Sequence, residues 1–369
     1  GPYDFRIGSS TVTKTVAGLD VPMTGAIGVP GEVDIWTFSG EAGRRVLVDS
    51  RRSSPELRYH LLSPTGRFLV NDGDSRFDSS MISLPETGEY QVIVFQRVDR
   101  TGDYDLRVVD VTTPTDLPFA FPVAGSLDPG RGMTAFRFYG DANQRFHFNN
   151  LGSPGSGRWT IVDGENQTLS NVALSQDFVF TAPTSGVFTL RLIGESDTPF
   201  NYLFQATAPV GATAPLVLDA VTTGQLSAPG EQDMFTFDGT VGTRLLFDAQ
   251  QNDLANLTFR IVSPSGATVL QKNTDDEAYP TLSLTETGEF RLIVESSTGV
   301  TGDYRFRVLD ANAAPAIMLV TPVAGTLTPG LETDILKLNG TAGQRLRFDF
   351  TTTGGYTWEL HGPADTCIV

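Results

Sequence analysis

Two acidic loops carry the residues best suited to chemistry. The first, Asn71 to Asp78, places Asp72, Asp74 and Asp78 within one turn; the second, Asn273 to Glu277, places Asp275, Asp276 and Glu277 together. Carboxylate and amide oxygens gathered on a turn suit a hard divalent cation. These six side chains are therefore candidate Ca²⁺ ligands, with Glu32 and Asp34, or Glu231 and Asp233, as further oxygens. The spacing is not that of an EF-hand, which needs a Glu at its twelfth position. A solvated acidic turn is the competing reading. The equivalent stretch between the two loops offers only Glu165, with Arg131 and Thr134 at its entry, and no ion is expected there.

Catalysis finds no comparable set. His60, His147 and His361 occupy non-equivalent strand positions with no recurring nucleophile beside them. The single cysteine, Cys367, falls at the strand position of Phe68 and reads as a small buried hydrophobe. No zinc-protease, phosphate-loop, nucleophile-elbow or CxxC motif occurs. No catalytic residue is assigned, and the chain is not expected to be an enzyme. The pair Arg45/Asp49 recurs as Arg145/Asn149, Arg244/Asp248 and Arg345/Asp349 on one strand face, expected as an ion pair or turn brace without a ligand role.

Composition narrows the partners. With 43 acidic against 26 basic residues the net charge is −17, which opposes binding to nucleic acid and to anionic membranes. No apolar run is long enough to span a bilayer, and no signal peptide opens the chain. One cysteine rules out an intrachain disulfide. Hydrophobic residues at 40% suffice for packed cores, so disorder is not the default.

The elements that must position these loops repeat along the chain. Pro30-Gly31, Pro129-Gly130, Pro229-Gly230 and Pro329-Gly330 recur, each followed by a strand, a turn and a second strand: DIWTFSGEAGRRVLVD, TAFRFYGDANQRFHFN, DMFTFDGTVGTRLLFD and DILKLNGTAGQRLRFD. Gly43, Gly242 and Gly343 close that turn, and Asn143 replaces Gly in the second copy, which points to a positive-φ position. Later elements recur as well, ETGEYQVIV with ETGEFRLIV and TGDYDLRVVD with TGDYRFRVLD. Whole repeats run over about 20–111, 118–208 and 217–311. Residues 1–10 match the tail of a preceding repeat and 317–369 the first half of a fourth, so the chain reads as an excerpt of a longer one.

Apolar residues alternate within each strand. Val46 and Val48, Phe146 and Phe148, and Leu245 and Phe247 fill one parity, while Leu47, His147, Leu246 and Arg347 take positions that a solvent face tolerates. Short alternating strands with frequent turn signals predict an all-β fold: tandem antiparallel β-sandwich modules, jelly-roll-like, of about 100 residues each. Short Pro-rich joints such as VTTPTDLPFAFP would hold them in a semi-rigid string.

The order Asp34-x-Trp36-x-Phe38, a turn closed by Gly43, Pro64-x-Gly66, an acidic loop, Thr87-Gly88-x-Tyr90 and Gly102-x-Tyr104 through Val108 resembles the bacterial pre-peptidase C-terminal (PPC) domain family. The resemblance covers almost the whole chain. The second repeat departs most, lacking the Asp, the Pro-x-Gly turn and the final Gly-x-Tyr. What the resemblance implies is a β-sandwich of secreted bacterial proteins, found beside extracellular proteases and in surface proteins, with collagen- or calcium-binding relatives. The leading expectation is a non-enzymatic structural array of a secreted or cell-surface protein, a stalk, surface layer or filament component whose partners are copies of itself or neighbouring repeats of a longer chain. The alternatives are an adhesive array for extracellular protein or glycan, and an accessory region of an extracellular protease.

Overall fold

The computed structural model describes the chain except for residues 1–11, 53, 154–155, 251–256, 274–280, 297–298, 329–330, 350–356, 363–367 and 369. The expected tail at residues 1–10, the loop carboxylates Asp275, Asp276 and Glu277, and Cys367 lie outside the described residues. Those described are all-β, with no α-helix among them. None is long and apolar enough to cross a membrane as a helix.

The first repeat has nine strands. They are β1 (Val12–Val16), β2 (Pro22–Ile27), β3 (Val33–Gly40), β4 (Arg45–Ser50), β5 (Leu57–Leu62), β6 (Phe68–Asp74), β7 (Ile82–Ser83), β8 (Gly88–Gln96) and β9 (Gly102–Asp110). They form two sheets, ordered β1-β3-β8-β5-β6 and β2-β9-β4-β7. The second repeat, β10 (Thr115–Asp116) to β18 (Phe200–Thr207), and the third, β19 (Thr213–Pro215) to β27 (Gly302–Asp310), reproduce both orders position for position. Past Asp310 the described strands are β28 (Ala316–Ile317) and β29 (Lys337–Leu338).

Period-2 side chains explain the layering. Phe38, Val46, Val48, Tyr59, Tyr90, Val92, Tyr104 and Leu106 come from both sheets of the first repeat and are buried in one cluster. The second repeat centres on Trp159, Phe148, Phe188 and Phe204, and the third on Phe247, Phe259, Phe290 and Phe306. Asn143 has φ 66° where Gly43, Gly242 and Gly343 have 85°, 86° and 81°, as the turn sequences required.

Two findings overturn the expected fold class of tandem antiparallel, jelly-roll-like β-sandwich modules of about 100 residues. The larger sheets are mixed: β1 runs parallel to β3, with Val12 opposite Val33, and parallel pairs recur at Thr115/Phe136, Thr213/Met234 and Ala316/Lys337. A parallel pair needs a crossover, and β2 supplies it by passing through the other sheet between β1 and β3. Nor are repeats closed off from their neighbours. Leu47, Val109 and Val111 of the first repeat bury against Met133 of the second in a cluster of their own. The chain divides into two compact units, Gly1–Ala208 and Pro209–Val369, rather than one per repeat. Leu47 and His147, placed by parity toward solvent, are both buried.

Candidate functional site at the joints between repeats

The first acidic loop does not converge. Asp72 sits 3.8 Å from Arg58 and 3.6 Å from Arg97, and its N–H donates to His60 Nδ1. Asp74 lies 3.3 Å from Arg58 and 2.6 Å from Arg76, whose hydrogen bonds hold its carboxyl below the usual range. Asp78 turns the other way and accepts the Ser50 N–H at 2.8 Å. Among the described residues no group of three or more His, Cys, Asp or Glu side chains is placed to hold a metal ion.

The further oxygens are engaged within their own repeats. Glu32 accepts the N–H groups of Gly28 and Val29, and Glu231 those of Ser227 and Ala228. Asp34 accepts the Tyr104 hydroxyl at 2.6 Å, and Asp233 that of Tyr304 at 2.6 Å. These carboxylates brace turns and strands. Gly25 and Gly224 let the two tyrosines pass, because a Cβ at either would collide with the ring.

The histidines are scattered among the repeats. His60 packs its ring against Phe68 and Phe95, with centroids 5.0 and 4.7 Å away. His147 is buried, which lowers its pKa. His361 lies 2.9 Å from Glu359.

The arrangement that recurs lies at the joints. Asp49 and Arg107 stand directly opposite one another on β4 and β9. Arg107 Nη2 donates to Asp49 Oδ2 at 2.6 Å and to the Met133 carbonyl of the next repeat at 2.7 Å, and the Met133 N–H points back to Asp49 Oδ2 at 3.5 Å. In the third repeat Asp248 and Arg307 are cross-strand partners, Arg307 donates to the Thr333 carbonyl at 2.9 Å, and the Thr333 N–H donates to Asp248 at 3.2 Å. An ion pair of one repeat thus grips both backbone groups of a residue 84 or 85 positions further on. Arg307 also meets Glu332 at 2.9 Å. Two more arginines reach from the first repeat to carbonyls of the second, Arg45 to Gly164 at 2.9 Å and Arg51 to Asp128 at 2.6 Å.

This corrects the expected pairing along the strand. Arg45 reaches the next repeat, and the partner of Asp49 is Arg107. Burial, only partly offset by Arg107, pushes the Asp49 carboxyl up to about 6; burial also raises Asp248. The sequence itself carries a signal for the clamp. In the second repeat both members change together, to the cross-strand pair Asn149 and Gln205, and Gln205 donates to the Ala120 carbonyl of its own repeat.

No protein family profile matches the chain, and no curated protein does. Solved structures similar to parts of it are distant. One is the CUB1-EGF-CUB2 domain of human MASP-1/3, at 9% identity and a TM-score of 0.18, over 50% of this chain and 99% of that one. Tripeptidyl peptidase 2 gives 10% and 0.19, over 74% of this chain and 33% of that one. A structure described as the triple jelly roll fold and turret assembly in an archaeal virus gives 8% and 0.16, over 78% and 80%. At these scores the likenesses carry no argument about fold or function.

Proposed function

We propose that the chain is a non-enzymatic structural array of a large secreted or cell-surface bacterial protein, in which the first and third repeats each hold the repeat that follows at a fixed register. The observation that carries this reading is the recurrent clamp, in which Asp49/Arg107 and Asp248/Arg307 bind both backbone groups of the following repeat. Three further supports are the joint cluster around Leu47 and Met133, the sequence resemblance to the PPC family, and the low cysteine content. The ligands of such an array are other repeats, of the same chain or of a further copy.

Pulling the 369-residue chain in a force spectrometer tests this. The wild-type chain should show a force peak that disappears in the double variant D49N/R107Q while the later peaks remain. Specific saturable binding on extracellular-protein or glycan arrays would replace this reading with the adhesive one. Half-exposed Phe68, whose ring meets His60 edge-on while His60 also packs on Phe95, is the surface to mutate in that event.

A further inference from the structure

The clamp between the first two repeats contains a second carboxylate that the clamp itself does not use. The loop between β6 and β7 is laid along β4 on both sides of Asp49. Ser79 exchanges hydrogen bonds with Val48, its N–H donating to the Val48 carbonyl at 2.9 Å and its Oγ accepting the Val48 N–H at 2.8 Å. Asp78 Oδ1 accepts the Ser50 N–H at 2.8 Å. This sets Asp78 beside Asp49, whose side chain is 0% exposed. Two oxygens are left over: Asp49 Oδ1 and Asp78 Oδ2 are both buried without a hydrogen-bond partner. Unpartnered buried oxygens of two neighbouring carboxylates are costly as a pair of anions, and a single proton satisfies both.

We propose that Asp49 and Asp78 share one proton, donated from one of these oxygens to the other, and that this carboxyl–carboxylate hydrogen bond makes the joint between the first two repeats sensitive to pH. The charged groups facing the pair are few. Arg107 and Arg51 face Asp49 from its own repeat, and Arg51 is also 3.4 Å from Asp105. Asp78 is faced by Tyr59 on β5, by Arg107, and by Arg191 of the second repeat. Arg191 directs its Nη2 to Asn166 instead of pairing with Asp78. Burial first, and the neighbouring Asp49 charge second, raise Asp78 to about 7.

Both folded-state values lie above the ordinary carboxyl value of 3.8, so the folded joint holds a proton that the unfolded chain releases. The stability this supplies is complete at and below about pH 4 and is lost as pH rises through about 6 to 7. The device works whatever the array carries, because it depends only on the joint. Below neutrality the shared proton holds the loop on β4; above it two adjacent buried anions weaken that contact, and the Arg107 clamp holds the joint alone.

The test is thermal unfolding of the full chain between pH 5 and 8, wild type against Asp78→Asn. The asparagine amide donates to Asp49 Oδ1 without a titrating proton. The wild type should lose of the order of 5 °C more than the variant over that range. Identical pH profiles overturn the proposal, since the other titrating groups are common to both chains. Should the variant fail to fold, assigned carboxyl carbon-13 shifts of Asp49 and Asp78 in the wild type decide the matter. A coupled titration between pH 5 and 8 supports the shared proton, and two ordinary aspartate curves refute it.

Discussion

Removing Arg107 is the sharpest perturbation of the clamp. In Arg107→Ala, Asp49 keeps its position inside the joint but loses a 2.6 Å partner, and the Met133 carbonyl loses its donor. Breaking a buried ion pair from one side costs about 3–5 kcal/mol, because an uncompensated charge stays buried. Asp49 has an escape, which is to take up a proton of its own beyond the one shared with Asp78. For a carboxyl of ordinary value 3.8 that costs about 1.6 kcal/mol at pH 5 and about 5.7 kcal/mol at pH 8, at about 1.4 kcal/mol per pH unit. Adding about 1 kcal/mol for the orphaned carbonyl gives a loss of about 2–3 kcal/mol at pH 5. At pH 8 protonation offers no relief, and the full 3–5 kcal/mol applies with the same carbonyl contribution, about 4–6 kcal/mol in all. Urea unfolding at the two pH values measures this, with Trp36 and Trp159 reporting the first and second repeats through their fluorescence. A loss below about 1 kcal/mol at both pH values would place the pair among exposed ion pairs and refute the reasoning.

Other expectations follow from the same geometry. Gly25→Ala should destabilise the first repeat by about 1–3 kcal/mol in urea, because the added methyl collides with Tyr104 and parts it from Asp34; a neutral result would show that the tyrosine has room to move. Asn143→Gly should be neutral or slightly stabilising in thermal melts, whereas Asn143→Ala should cost about 1 kcal/mol at a φ of 66°. Calcium chloride is expected to leave the melting temperature unchanged, since Asp72 and Asp74 are already met by Arg58, Arg76 and Arg97; a rise that Asp74→Asn abolishes would restore the loop as an ion site.

The repeat and its β-strand content were legible because repetition multiplies weak signals. One Gly-x-x-Gly turn says little, but four copies in register, one with Asn at the positive-φ place, identify a backbone requirement. Strand parity located Val46, Val48, Phe146 and Phe148 correctly in the core. Parity fails where a face is covered by something other than its own repeat. Leu47 reads as outward, and it does point away from its own core, into Met133 of the next repeat. The parallel edge was invisible for a different reason: alternation has period 2 whichever way a partner runs, so VTKTV carries no direction. Asp49 was assigned to Arg45 because both lie on one strand. Its real partner is 58 residues away on β9, and only the joint change to Asn149 and Gln205 betrays it. Of the candidate calcium ligands, Asp72 and Asp74 are met by the arginines interleaved in their loop and Asp78 turns to Ser50, while Asp275, Asp276 and Glu277 lie outside the described residues.

The order in which strands enter each repeat has a consequence for how the chain is made. β8 lies between β3 and β5, and β9 between β2 and β4, so the two strands at the middle of the sheets are the last of the nine to be synthesised. Until they arrive, each half-built repeat displays open backbone edges on both layers and an uncovered apolar interior. Closure then depends on contacts between distant parts of the chain, which form slowly. A nascent or translocating array therefore advances in discrete steps, one per repeat. Its most vulnerable moment comes just before each closing pair emerges, when any exposed strand nearby is a competitor for the gap.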